Sequence, residues 1–289
     1  MGKTFLATSE LIGTIIGAGF LAIPFVVVKS GFMIGLIHLT LIGIVLTITM
    51  LYLGEIMLRT KEHHQLPGYA GKYLGLKGKR WMFFAIAFGV FSALLAYLIA
   101  EGQSISALLF GSQSYTLLCT IGFWLLLSIL SLGGLRILKK GESIGVILVG
   151  VMIISITVLL SSKVKLENLT SISLEHFFTP FGVILFAFLA FTALPEVKSI
   201  LGEDKRILKR SIIIAYLAAF TIYVLFTLLI VGSQGSLTPE IATLALGKPF
   251  ILLSIITMFT SYLSLSMSMI DTFRFDFKRT QTQSWIFTI

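Results

Sequence analysis

Apolar residues dominate eight stretches of this chain, at roughly 4–29, 31–58, 80–111, 115–135, 142–162, 179–198, 210–233 and 248–273. About 20 such residues suffice for a helix to cross a bilayer. Polar and charged residues gather in the intervals. The pattern predicts an all-α polytopic membrane protein, a single transmembrane domain over 1–289. It has about eight complete spans, and "TQSWIFTI" at 282–289 reads as the opening of a ninth. In the interval 59–79, "LPGYAGKYLGL" is short and amphipathic, which predicts a helix lying along the membrane surface. "SLTPEIATLALG" begins with a cap residue and a Pro-Glu first turn, which predicts a short helix outside the membrane. The first run is too long and too interrupted to be a cleavable signal peptide.

That interruption is "GTIIGAGFLAIP", residues 13–24, with three glycines and a proline inside a segment that should be helical. Non-helical backbone at membrane depth is tolerated only where protein buries it or a water-filled cavity meets it. Breaking a helix there frees N–H groups at one end and C=O groups at the other. The first suit a carboxylate, the second an ammonium group or Na⁺. Gly17 and Gly19 let a ligand approach the backbone, since no Cβ intervenes. Gly13 and Gly17 also fit a small-residue face for helix packing. An echo occurs in the sixth run, where Phe20-Leu21-Ala22-Ile23-Pro24 returns as Phe191-Thr192-Ala193-Leu194-Pro195. Five spans apart, the two phrases run in opposite directions, as an inverted repeat requires.

Composition and charge narrow the class. Hydrophobic residues make up 56% and charged residues 12% of the chain, against about a quarter charged in soluble domains. The net charge of +9 is topological. With the N-terminus inside, 18 of the 22 Lys and Arg fall on the inner side and only Lys29, Lys163, Lys165 and Lys248 outside. The distribution argues for a lipid bilayer as the partner, against nucleic acid, and for the cell membrane with a cytoplasmic N-terminus. Cys119 is the one cysteine, so neither an intrachain disulfide nor a cysteine metal cluster forms. The absence of HExxH and Walker patterns counts against an enzyme.

"GTIIGAGFLAIP" and "FAFLAFTALPEVKSILGEDKRILKRSI" at 186–212 resemble the amino acid/polyamine/organocation superfamily, in particular its amino acid permeases of the aromatic/hydroxy and auxin-permease-like branch. The resemblance covers the chain to about residue 280. It implies the LeuT-type fold, with discontinuous first and sixth spans around a mid-membrane substrate site and alternating access. Residues 1–162 would form the first five-span repeat and 179–289 an incomplete second one, so a fragment lacking spans nine and ten is expected. The function implied is a secondary transporter (symport) of amino acids coupled to Na⁺ or H⁺, with no other cofactor and no metal beyond that possible Na⁺. A non-transporting amino acid sensor and a channel are the alternatives. No soluble output domain favours the first of these, and no charged ring or carbonyl filter favours the second.

By resemblance, the N–H groups of Ala18 and Gly19 face the substrate carboxylate. The carbonyls of Ile15 and those near Phe186 and Ala187 take its ammonium, and Thr14 adds a hydroxyl. Phe186, Phe188 and Phe191 form an aromatic wall or gate, although lipid contact explains any one of 24 phenylalanines equally simply. For the ion, two placements compete. Thr257, Thr260 and Ser261 share a helix face at i, i+3 and i+4 and offer oxygen ligands beside the Gly13 and Ile16 carbonyls; hydroxyls bonded back to their own helix are the ordinary reading. Glu101 is costly at membrane depth. It either carries a coupling proton or reaches the outer surface two turns away. Asp271 with Arg274 at i+3 fits an inner gate, and Glu55, Glu196 and Asp276 read as interfacial. His63 and His64 fall in a loop, and His38 is isolated.

Overall fold

Lipid offers backbone amides no hydrogen bonds, and the apolar runs answer by folding as helices. The computed structural model describes residues 3–17, 19–60, 62, 64–132, 138–202 and 204–289, and for 138–144 the backbone alone. The helices are α1 (Lys3–Ile15), α2 (Gly19–Ser30), α3 (Phe32–Arg59), α4 (Leu66–Phe110), α5 (Thr116–Leu132), α6 (Leu138–Leu160), α7 (Thr179–Phe188), α8 (Leu194–Leu201), α9 (Lys205–Gln234), α10 (Lys248–Asp271) and α11 (Gln281–Thr288). No strand occurs among the described residues. Six helical stretches there are long and apolar enough to cross a membrane, or seven when α1 and α2 count as one span bent by 49°. The 17-residue α5 is apolar but shorter.

α9 runs through the middle of the packing, against α1, α2, α3 and α6, and α4 lies between α5 and α10. Tyr223, Phe226 and Ile230 of α9 are fully buried, as is Phe20, whose ring lies 5.1 Å from Phe226. Phe84, Phe88 and Leu117 point outward instead, as lipid-facing side chains must.

The surface helix anticipated in 59–79 is the first part of α4, which kinks at Gly75 (φ 72°) before the long apolar run. Its start lacks a side-chain cap of its own. Asp276, at the end of a π-helical turn that follows α10, supplies one from 208 residues away. Its carboxylate accepts from Gly68 N at 2.7 Å and from Gln65 N and His64 Nδ1 at 3.3 Å each, and Lys79 Nζ donates to the Asp276 carbonyl. Asp276 is therefore packed inside the protein beside the basic loop: its side chain is 0% exposed. Asp276→Ala strands helix-start N–H groups, and the bond between Gly68 N and a charged acceptor is alone worth about 1.5–3 kcal/mol. A lower thermal midpoint in detergent is the expected result, and an unchanged one would show that Asp276 caps nothing of consequence.

The external helix anticipated in "SLTPEIATLALG" is corrected to two separate 3₁₀ turns, Gly235–Leu237 and Ala242–Ala245. Thr238 Oγ1 donates backward to Gly235 O at 2.7 Å, so it closes the first turn and does not cap a following helix.

Candidate functional site

Two helix ends meet in the middle of the molecule. α1 stops at Ile15, where Gly17 N turns back onto Ile15 O at 3.0 Å, and α2 starts at Gly19. α7 stops at Phe188, and after Leu189 and Ala190 the chain makes one 3₁₀ turn, Phe191–Ala193, and enters α8. A cavity of about 490 Å³ opens on both, walled also by α3 and by α4 between Met82 and Tyr97. It is apolar apart from a few groups, among them Thr14, Ser92, Tyr97, Thr192 and Tyr216. That is the usual make-up of a small-molecule site.

Thr14, Ile15, Gly19, Phe186, Ala187 and Phe191 all line this cavity. Gly17 borders it through Tyr97, whose hydroxyl occupies the space a Cβ on Gly17 would need. Ala18 lies outside the described residues. Phe188 is a correction. Two residues apart on a helix means about 200° of rotation, so Phe186 and Phe188 cannot share a face. Phe188 turns away into the core, stacked on Tyr216 at 6.1 Å and edge-on to Tyr223 at 4.9 Å.

The carbonyls expected to meet an ammonium group already have donors. Tyr223 Oη lies 2.7 Å from Ile15 O and 2.8 Å from Ala187 O, and Tyr216 Oη donates to Phe188 O at 2.9 Å. Phe186 O accepts from Leu189 N. Both tyrosines stand on α9 at i and i+7, one face of one helix, and "YLAAFTIY" held the signal. A phenol inside an apolar span must find an acceptor, and free helix-end carbonyls are the acceptors available. The first turn of α2, whose amide N–H groups have no intrahelical carbonyl to bond, begins at Gly19, which lines the cavity.

Among the candidate ion ligands, Ser261 approaches the break, its Oγ 3.3 Å from where a Gly17 Cβ would stand, whereas Thr260 turns toward Gly145 of α6. Thr257 and Ser261 are buried and Thr260 partly so. All three hydroxyls donate to carbonyls of their own helix, at 2.9, 2.9 and 3.1 Å for Thr257, Thr260 and Ser261. Gly13 on α1 is half-buried, and Ile16, just past its end, is buried. Glu101 does not reach a surface. It is 0% exposed, neither carboxyl oxygen has a hydrogen-bond partner, and Ser104 Oγ, one turn on, lacks one too. It shares a face of α4 with Tyr97, one turn beyond the cavity wall. Asp271 pairs with Arg274 at 3.8 Å, as their spacing implied. "GESIG" at 141–145 has the letters of a serine-hydrolase elbow but lies inside α6, not at a strand-to-helix turn.

The sequence matches the tryptophan/tyrosine permease family model over residues 1–289. It is 25% identical over 253 residues to the tyrosine-specific transport system 1 of Haemophilus influenzae, which covers 82% of this chain and 59% of that protein. The chain thus spans well under two thirds of the length of this curated relative. Its fold superposes on Mhp1, a nucleobase-cation-symport-1 family transporter solved in a closed conformation with bromovinylhydantoin bound. The TM-score is 0.72 at 12% identity, over 99% of this chain and 69% of that one. These relatives are transporters and not enzymes, and the helices are those of an integral membrane protein.

Proposed function

We propose, from the premise that this chain belongs to the tryptophan/tyrosine permease family, that it forms the substrate-binding part of a secondary transporter for an aromatic amino acid. The observation that carries the reading is the single cavity onto which both interrupted helices open. The α2 start around Gly19 binds the carboxylate, Thr14 and Tyr97 supply hydroxyls, and Phe186 and Phe191 flank the aromatic ring. In this reading α1–α2 and α7–α8 are the discontinuous first and sixth of eight spans, related by an inverted repeat of 1–162 with 179–289. The two quoted motifs support a place in the amino acid/polyamine/organocation superfamily. The basic residues support a cell-membrane protein with the N-terminus in the cytoplasm. Transport is coupled to Na⁺ or H⁺.

Counterflow in proteoliposomes tests this. Vesicles holding the whole permease and loaded with unlabelled tyrosine or tryptophan should draw in the labelled amino acid, and loaded alanine should not support it. Equal counterflow with alanine refutes the aromatic assignment; none with any amino acid refutes the transporter.

A further inference from the structure

The phenol of Tyr223 is fully buried and does not line the substrate cavity. It touches carbonyls in the last turns of two helices that are remote in sequence, Ile15 O at 2.7 Å and Ala187 O at 2.8 Å. A hydroxyl has one proton. It can satisfy one of these carbonyls at a time. Ile15 O has a second donor, Gly17 N at 3.0 Å, so in this conformation the phenol proton is best spent on Ala187 O. If the Ile16–Gly17 turn opens, Ile15 O loses that donor and the proton has reason to swing across.

We propose that Tyr223 is a positioning residue that couples the two helix breaks: its single proton moves between Ile15 O and Ala187 O, so neither break rearranges without the other. The ring is fixed well enough for this. Phe20 stacks on it at 6.2 Å with the planes 5° apart, and Phe188 meets it edge-on. Tyr216, by contrast, serves one break alone, through Phe188 O, and lines the cavity. The two phenols therefore have different predicted phenotypes although they stand two turns apart on the same helix. A buried two-acceptor hydroxyl is a bistable element of the kind that converts a local change into a larger one. The inference deepens the transporter reading, for which the breaks bound the moving parts.

Tyr223→Phe keeps the ring and removes the proton. In the whole permease, it should lower the maximal counterflow rate about tenfold while substrate affinity stays near wild type. Tyr216→Phe should instead weaken affinity. Amide hydrogen exchange should rise at both breaks in Tyr223→Phe, over 15–19 and 186–192, and only at the second in Tyr216→Phe. A wild-type counterflow rate in Tyr223→Phe, or faster exchange confined to one break, overturns the coupling. The exchange arm needs no transport, so a chain that proves not to carry amino acids still answers it. Should Tyr223→Phe fail to fold, wild-type protein saturated with tyrosine decides instead: exchange must change at both segments together, and a change at one alone overturns the proposal.

Discussion

Gly19→Leu in the whole permease is expected to abolish amino acid binding, by roughly 100-fold or more, equivalent to about 2.8 kcal/mol, and to leave the protein inserted and folded. A Cβ at Gly19 would stand 2.9 Å from the Ala187 Cα and the Phe186 ring and 3.0 Å from the Ala187 Cβ. Two of these atoms belong to the short α7 or its backbone-fixed methyl and cannot rotate aside. A leucine must therefore push α2 and α7 apart at the place where both helix ends face the cavity, and it fills that cavity with its own methyl groups. Overpacking of this sort costs about 1–3 kcal/mol of stability, which a bundle of this size withstands while its site does not. Equilibrium binding, read beside a size-exclusion profile, checks it. Wild-type affinity in this variant would show that the close approach of α2 to α7 has nothing to do with the ligand.

Glu101→Gln carries the second large effect. A carboxylate with no partner at either oxygen, fully out of water, is too costly to keep ionised. If Glu101 carries the coupling proton, movement that wets α4 beyond Tyr97 would release it. Among the described residues, the elements packed on α4 bring Cys119 from α5, Lys248, Tyr262 and Asp271 from α10, and Arg274 and Asp276 from the turn after it, and none bonds to the Glu101 carboxyl. Glutamine keeps the shape and cannot titrate. The variant should retain counterflow and lose accumulation driven by an inside-alkaline pH gradient. The rival placement demands the reverse: Thr260→Ala with Ser261→Ala would then abolish a sodium requirement, and Glu101→Gln would be mild. A pH-driven gradient maintained by Glu101→Gln eliminates the proton assignment.

The spans were legible because lipid demands runs of apolar residues, and the run boundaries match α3, α5, α9 and α10 within a few residues. The first break was legible for a related reason: glycine and proline have few uses inside a membrane helix other than interrupting or tightly packing it. The second break carries no glycine between Phe186 and Ala193 and was visible only through its likeness to known permeases. Its cause is tertiary. Tyr216 and Tyr223 receive the carbonyls that the interruption frees, and their role depends on a helix some thirty residues away in the chain. The capping role of Asp276 was hidden for the same reason, since its partners at Gln65 and Gly68 lie more than 200 residues away in the chain. Phe188 failed on geometry already present in the sequence, where the helical period separates it from Phe186.

Trp285 fastens α11 to α5: its indole Nε1 donates to Ser128 O at 3.0 Å and to Ser131 Oγ at 2.9 Å, across separations of 157 and 154 residues. At a ribosomal pace of about 5–20 residues per second, that interval lasts on the order of 10–30 seconds. α5 is thus made long before its partner and must wait for it. Ser131 Oγ is not idle meanwhile, because it donates to Ser128 O at 2.8 Å and keeps itself satisfied within its own helix. The late indole then joins a pair that was stable without it, so biogenesis can pause between the two halves without exposing an unmet polar group to lipid.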